Sequence, residues 1–427
     1  MSSPRKVAIV GGLRIPFARS FGAYSGVSNQ ELMTSVLKAI VDKYKLQNQQ
    51  LGEVSLGAVM NHSADWNLAR ECALGSGLSA YTPAYTVQQA CGTSLQTAIL
   101  VANKIALGQI EVGIAGGVDT NSDLPVVFSR RFAHKMIELS RAKTTMDKIK
   151  IITSIRPGDL APVQPMVTEP RTGLSMGQSC ELMAKTWKVS RKEQDELAIA
   201  SQMNAVKATK NGFFDDLIVP FGSLTKDNNV RETNMEKMSA LKPAFDRSEH
   251  GTLTAGNSSA LTDGAAATLL ASEEWAKSQG LPILAYLTFT EHAAVEFVKA
   301  EGLLMAPTYA VSNMLKKANL KLQDFDYYEI HEAFAAQVLC TLKAWESPEF
   351  CKTRLGRNEA LGAIDRAKLN VNGGSVALGH PFAATGARIV SSLAKMLSQK
   401  RKGRGLISIC TGGGMGVTAI LEGPEGA

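Results

Sequence analysis

The sequence predicts an α/β protein made of two similar doubly wound halves, with a helix-rich excursion inserted in the first. Three observations carry this. Short apolar runs alternate with helix-period segments over the first 120 residues, and the same alternation returns after about residue 280. In each stretch a cysteine follows an apolar strand-like run and precedes glycine or small residues, at Cys91 and at Cys410.

In the first half the apolar runs Val7–Val10, Val54–Met60, Tyr85–Val87 and Val112–Ala115 predict strands, and Glu31–Tyr44 and Ser94–Leu107 predict helices. In the second half, Ile283–Phe289, Tyr327–Ile330 and Leu406–Cys410 predict strands, and Thr308–Ala318 and Gly386–Leu397 helices. The clearest echo pairs the unit around Cys91, which closes in Ala115-Gly116-Gly117-Val118-Asp119, with the unit Asn372–Leu397, which closes in Thr411-Gly412-Gly413-Gly414. A glycine-rich turn after a buried strand lets backbone N–H groups approach a ligand. Two such halves packed face to face bring their strand ends to one central cleft. The expected division is residues 1–120 with 251–280 for the first half, 121–250 for a loop domain, and 281–427 for the second half.

At 427 residues the chain exceeds one average domain, and 45% hydrophobic with 20% charged residues suits a soluble globular enzyme with a large core. A formal charge of +7 fits nucleic acid, a membrane surface or a polyanionic small molecule. The sequence carries no motif of the usual DNA- or RNA-binding modules and few clustered aromatics, so nucleic acid is set aside. The six cysteines form no Cys-x-x-Cys pair and no zinc-finger spacing, against a disulfide scaffold or structural zinc. Met1–Lys6 leads into Val7–Val10 without an apolar leader, and no run approaches the ~20 apolar residues of a membrane span, so a cytoplasmic protein is expected, with an organellar matrix left open.

Between Asn121 and His250 the pattern turns basic and proline-interrupted, with Arg130, Arg131, Lys135, Arg141, Lys143, Lys148, Lys150 and Arg156 ahead of Pro157, Pro162, Pro165 and Pro170. A solvated basic surface and a surface for a phosphorylated ligand, a membrane or a partner both fit this stretch.

Four end-of-strand elements carry chemistry. A thiol that ends a strand and opens a helix feels the positive end of the helix dipole, which lowers its pKa toward the nucleophilic thiolate. Gly379 and Pro381 set a tight turn that presents His380 to a cleft, and His331-Glu332-Ala333-Phe334-Ala335 follows the strand Tyr327–Ile330. Cys91, His380, Cys410 and His331 therefore converge on one cleft if the halves pack as expected.

At these residues the chain resembles the thiolase family over nearly its whole length. The matching motifs are Cys91-Gly92, Gly173-Leu174-Ser175-Met176-Gly177, Leu241-Lys242-Pro243-Ala244-Phe245-Asp246, Thr254-Ala255-Gly256-Asn257-Ser258-Ser259, the His331 motif, Asn370-Val371-Asn372-Gly373-Gly374 with Gly379-His380-Pro381, and Cys410-Thr411-Gly412-Gly413-Gly414. The resemblance implies a layered α/β/α/β/α thiolase fold and a ping-pong acyl transfer. Cys91 is then the acylated nucleophile, His380 takes its proton, and Cys410 is the second acid/base. The N–H groups of Cys91 and Gly412 serve the tetrahedral intermediate, while His380 and His331 serve the enolate. Coenzyme A is the implied co-substrate, with Ala255 and Ser259 along the pantetheine channel, Met176 and Phe334 at the acyl end, and Gln202 and Arg231 along the nucleotide. No metal is implied.

Many thiolases carry Asn where this chain has His331. A histidine there resembles the β-subunits of the fatty-acid oxidation trifunctional complex and their bacterial relatives, as does the basic segment Val126–Arg156, which in that branch is linked to partner or membrane contact. This favours a degradative 3-ketoacyl-CoA thiolase over a short-chain acetyl-CoA C-acetyltransferase, and Lys237 likewise departs from the short-chain pattern. A ketoacyl synthase is set aside by Cys410, and a non-catalytic acyl-CoA-binding scaffold by the presence of Cys91, His380 and Cys410 together. A homodimer or homotetramer is expected, with a hydratase/dehydrogenase subunit as a further candidate partner.

Overall fold

The computed structural model describes residues 4–163, 165 and 168–426, so Met1–Ser3, where the reading of the N-terminus begins, lie outside the described residues. Nine strands, β1 (Val7–Arg14), β2 (Glu53–Gly57), β3 (Ala84–Val87), β4 (Val112–Asp119), β5 (Thr262–Ser272), β6 (Ala285–Ala294), β7 (Tyr327–Ile330), β8 (Arg404–Thr411) and β9 (Met415–Glu422), run in the order β7-β8-β9-β6-β1-β5-β4-β2-β3. Parallel pairing joins β2 to β3 and β4, and β7 to β8. The inner pairs are antiparallel, and β1 meets β6 through Ala8–Tyr286 and Ile9–Ala285, which links the two sets of strands edge to edge.

β9 has no counterpart in the sequence reading, and two further differences have a clear physical reason. β2 stops at Gly57 rather than Met60 because the N–H groups of Val59 and Met60 turn away to donate to Asp119 Oδ1, at 2.9 and 2.7 Å. β5, Thr-Asp-Gly-Ala-Ala-Ala-Thr-Leu-Leu-Ala-Ser, lies between β1 and β4 and is buried at every residue. Its alanines let flanking helices approach both faces, and a strand covered on both faces shows no alternation to read.

The helices Thr93–Ala106 and Thr385–Lys400 form the middle layer. Their Leu95, Ile99, Ile389 and Leu393 share one core with Ile9 and Ala115 on one side and Ile407 and Val417 on the other. Outside the first set of strands, Leu32, Val36 and Ile40 of the helix Asn29–Tyr44 cover Leu56, Ile114 and Leu269. Outside the second, Val311 and Leu315 of the helix Ala306–Ala318 and Val338 of the helix Ala335–Glu346 cover Ile330, Leu406 and Ile420.

The two middle helices touch at their N-terminal ends. A Cβ on Gly386 would sit 2.3 Å from the backbone nitrogen of Leu95, so only glycine permits this approach. The N–H of Ala387 donates to Ser94 Oγ at 2.8 Å, so one helix caps an unpaired N–H in the first turn of the other. In the basic excursion the helices Arg130–Arg141 and Thr145–Thr153 bury no residue and lean on each other, with Val127–Phe128 paired to Pro162–Val163 at their base. Among the described residues no helix is long and apolar enough to cross a membrane.

Replacing Gly386 with Ala forces the middle helices apart. Thermal denaturation should show a loss of about 1–3 kcal/mol, the usual cost of overpacking; an unchanged Tm would contradict this contact.

Candidate active site

The site lies where the middle helices begin. Beyond β3, Ala90 takes a positive φ of 45°, and the chain turns through Ala90–Gly92 into the helix Thr93–Ala106, which places Cys91 at its head. A Cβ at Gly92 would meet Val417 Cγ1 at 2.7 Å, so the loop presses against β9. Cys410 stands near the end of β8, opposite Gly416. It opens a β-hairpin and not a helix, because Gly413 and Gly414, at φ 78° and 69°, reverse the chain into β9. The N–H of Gly413 donates to Glu169 Oε2 at 3.1 Å, pinning this turn to the excursion.

His380 follows Gly379, whose φ of 101° and contact with Thr262 exclude a side chain there. Its own N–H donates to Thr262 Oγ1 at 2.7 Å. His331 leaves β7 with its N–H on Ser408 O at 2.9 Å. The two rings stand 4.2 Å apart between centroids, and one donor atom from each of Cys91, His331 and His380 lies within 4.8 Å of the others. Among the described residues this is the one His/Cys/carboxylate cluster with spacing that would suit a metal ion, and a thiol between two imidazoles equally suits acyl transfer.

Each ring is held by a hydroxyl. His331 Nδ1 lies 2.9 Å from Ser375 Oγ, and His380 Nδ1 lies 2.6 Å from Thr385 Oγ1. Both Nε2 atoms are buried with no hydrogen-bond partner among the described residues, which leaves them for a substrate. Behind the rings, the buried Arg388 donates to Ser375 Oγ at 3.0 Å and faces Glu329 at 3.6 Å. Glu332 of the His331 motif accepts from Ser201 Oγ, Asn370 Nδ2 and the N–H of Val376 at 2.7, 2.6 and 3.1 Å, tying three segments together.

Burial decides the protonation states. It pushes the Cys91 thiol up to about 12, although the N–H groups of Gly412 and of Cys91 itself pull the other way. Cys91 is half-buried as a residue, but its sulfur is enclosed by the site, and desolvation outweighs the two N–H groups that face it. The expected lowering of its pKa is therefore corrected: Cys91 rests as a thiol. Cys410 is pushed up as well, by burial and then by Cys91. Burial and the charge of Arg388 bring His380 down to about 3. Burial, His380 and Arg388 hold His331 well below the usual imidazole range. Near pH 7 the site holds neutral thiols and neutral imidazoles.

The expected ligand residues divide. A groove of about 600 Å³ is lined by Arg231, Ala255, Ser258, Leu261 and Arg19, and Leu261 pairs with the backbone of His380, so the groove ends at the His380 turn. Ser259 stands just off this lining and donates its N–H to Ala333 O at 3.0 Å. Met176 opens the helix Met176–Thr186 with its sulfur beside Gly412. Phe334 is buried edge-on against Phe245. Gln202 lies beneath the groove; it is buried, donates to Val376 O and accepts the N–H of Arg231 at 3.0 Å. It holds Arg231 in place and does not line the groove.

Sequence reasoning missed Ser375, Thr385, Arg388, Glu329 and Glu169. Charged residues inside apolar elements, Glu329 in β7 and Arg388 in the helix Thr385–Lys400, were the available signal, since such residues are buried only with partners.

With Cys91 resting as a thiol, its thiolate fraction grows about tenfold per pH unit far below the pKa. Inactivation by iodoacetamide, followed from pH 6 to 9, should accelerate by that factor per unit. A plateau from pH 7 would contradict the raised pKa.

The thiolase N-terminal domain family matches residues 7–274 and the thiolase C-terminal domain family residues 281–423. A 3-ketoacyl-CoA thiolase of Pectobacterium carotovorum subsp. carotovorum is 44% identical over 98% of this chain and 96% of that protein. One from Shewanella baltica is 42% identical over 98% and 97%. Among solved structures, the Bacillus anthracis acetyl-CoA acetyltransferase superposes with a TM-score of 0.82 at 32% identity, covering 99% of this chain and 100% of that one. The Ascaris suum thiolase Acat5 in complex with coenzyme A gives 0.81 at 28%, covering 98% and 100%. The two half-sheets, the middle pair of helices and these matches agree, and the chain belongs to the thiolase family.

Proposed function

We propose that the chain is an acyl-CoA:acetyl-CoA C-acyltransferase that cleaves 3-ketoacyl-CoA with coenzyme A, as in fatty-acid degradation. The observation that carries this is the convergence of the Cys91 thiol with two neutral imidazoles whose Nε2 atoms have no partner among the described residues. The relatives named 3-ketoacyl-CoA thiolase, alike over the whole chain, support the degradative reading over the short-chain acetyltransferase.

Cys91 Sγ attacks the C3 carbonyl as His380 takes the thiol proton, so a thiol of high pKa serves without standing as a thiolate. The new oxyanion lies against the N–H groups of Cys91 and Gly412, the two amides that face the sulfur. The C2–C3 bond then breaks. The acetyl-CoA enolate leaves with its oxygen against His331 and the protonated His380, and Cys410 delivers a proton to C2. A second coenzyme A attacks the acyl-Cys91 thioester, its thiol proton passes to the site's base, and Cys91 recovers its proton as the shortened acyl-CoA departs. No step calls on a metal.

Coenzyme A lies along the groove with Ala255, Ser258 and Ser259 at the pantetheine and Arg231 at the nucleotide phosphates, while Met176 and Phe334 wall the acyl end. Residues 1–120 with 251–280, 121–250 and 281–427 are the proposed units of the chain. The segment Val126–Arg156 exposes Phe128, Met146, Ile149 and Ile152 beside its lysines and arginines, which supports contact with a hydratase/dehydrogenase subunit or a membrane surface. A homo-oligomer in the cytoplasm is the proposed form.

Thiolysis with 3-ketoacyl-CoAs of four to sixteen carbons, with Cys91→Ala as the blank, tests the reaction. kcat/KM should rise with chain length. Activity confined to the four-carbon substrate would overturn the degradative reading, and equal rates in the blank would overturn Cys91. Removing Val126–Arg156 should abolish pull-down of a hydratase/dehydrogenase subunit and leave short-substrate activity, and unchanged pull-down would exclude that role.

A further inference from the structure

A neutral imidazole donates from one nitrogen only, so which nitrogen of His331 carries the hydrogen decides what this ring can do. The answer is set by a hydrogen-bond chain with a fixed direction. Arg388 lies fully buried in the middle layer, with Nη2 3.0 Å from Ser375 Oγ and Nη1 facing Glu329. A guanidinium has five N–H donors and no acceptor, so Ser375 Oγ receives this bond. The serine has one proton of its own to give, and its other partner is His331 Nδ1 at 2.9 Å. The serine proton therefore points at Nδ1, and the ring hydrogen must lie on Nε2. The opposite tautomer would leave the buried serine receiving two donors with no acceptor among the described residues for its own O–H, which buried hydroxyls avoid.

We infer that Ser375, held by Arg388, is a positioning residue that locks His331 in the Nε2–H tautomer, so that the ring presents a proton to the enolate oxygen. This rests on the reading of His331 as an enolate donor. An amide at that position would carry fixed N–H groups and need no such lock. His380 differs, because its Nδ1 meets Thr385 Oγ1 and that hydroxyl has no one-way donor behind it among the described residues. His380 is thus free to hold its hydrogen on Nδ1 and accept the Cys91 proton at Nε2.

The test uses the full chain in five forms: unchanged, Ser375→Ala, His331→Asn, the double variant and His331→Ala. Ser375→Ala should lower kcat for thiolysis by about 10² to 10³, the usual effect of losing one such donor, with KM for coenzyme A within about twofold. In the His331→Asn background the same substitution should cost less than about threefold, because an amide does not depend on the serine. An equal loss in both backgrounds would overturn the inference and leave Ser375 a packing residue. His331→Ala separates the layers. If it retains the full rate, the reading of His331 as a donor fails; if it is slow while Ser375→Ala is not, the lock alone fails. Nitrogen-15 spectra of the unchanged protein labelled at its six histidines give a readout independent of variant folding. The signal lost in His331→Asn should have the Nε2–H pattern, and an Nδ1–H pattern would overturn the lock.

Discussion

Everything in this site depends on the contact between the helices Thr93–Ala106 and Thr385–Lys400. Gly386 lets one backbone press against Leu95 of the other, and Ser94 caps the N–H of Ala387 across the gap. Residues just before the two helices are thereby set side by side, Cys91 at one head and His380 at the other. Asp119 reinforces the join from beneath. It ends β4, accepts the N–H groups of Val59 and Met60, and reaches Ala383 N at 2.7 Å in the turn after His380. A single carboxyl group holds the turn after β2 and the turn that leads into the second middle helix.

The same burial that builds this contact sets the chemistry. Burial at the helix heads leaves the thiols and imidazoles neutral at rest, and in the proposed reaction the Cys91 proton moves to His380 as the acyl bond forms. Charge is kept one layer back. Arg388 sits behind the rings with Glu329, whose carboxyl burial raises to about 7, and Glu332 spends its oxygens on Ser201, Asn370 and Val376. Buried polar groups of this kind are costly unless every partner is present, so the shell that orients His331 also fixes the packing around it.

Much of this was legible in the sequence because the elements that carry the chemistry are strongly patterned. β1, β4, β7 and β8 show as apolar runs, the middle helices show by period, and Cys91, His331, His380 and Cys410 stand at their ends. β5 escaped because its alanine-rich run has neither alternation nor β-branched bulk, yet it lies inside the sheet between β1 and β4. β9 was hidden behind its glycine turn, which reads as a loop motif. The protonation of Cys91 was misjudged because sequence places a thiol at a helix head but does not show how completely the site encloses it. Gln202 and Arg231 were read together as ligand contacts; only the fold shows that one of them is the buried support of the other. Ser375 and Arg388 gain their meaning from His331, more than forty residues away from either, and that proximity exists only once β7 and the second middle helix are packed.

The central claim is that Cys91 carries the acyl group. Incubating the protein with acetyl-CoA alone, quenching with acid and mapping its peptides by mass spectrometry tests this most directly. The account predicts one acetyl group on the peptide containing Cys91, lost when coenzyme A is added and absent in Cys91→Ala. An acetyl group on Cys410, or exchange of label between acetyl-CoA and coenzyme A that persists in Cys91→Ala, would contradict it.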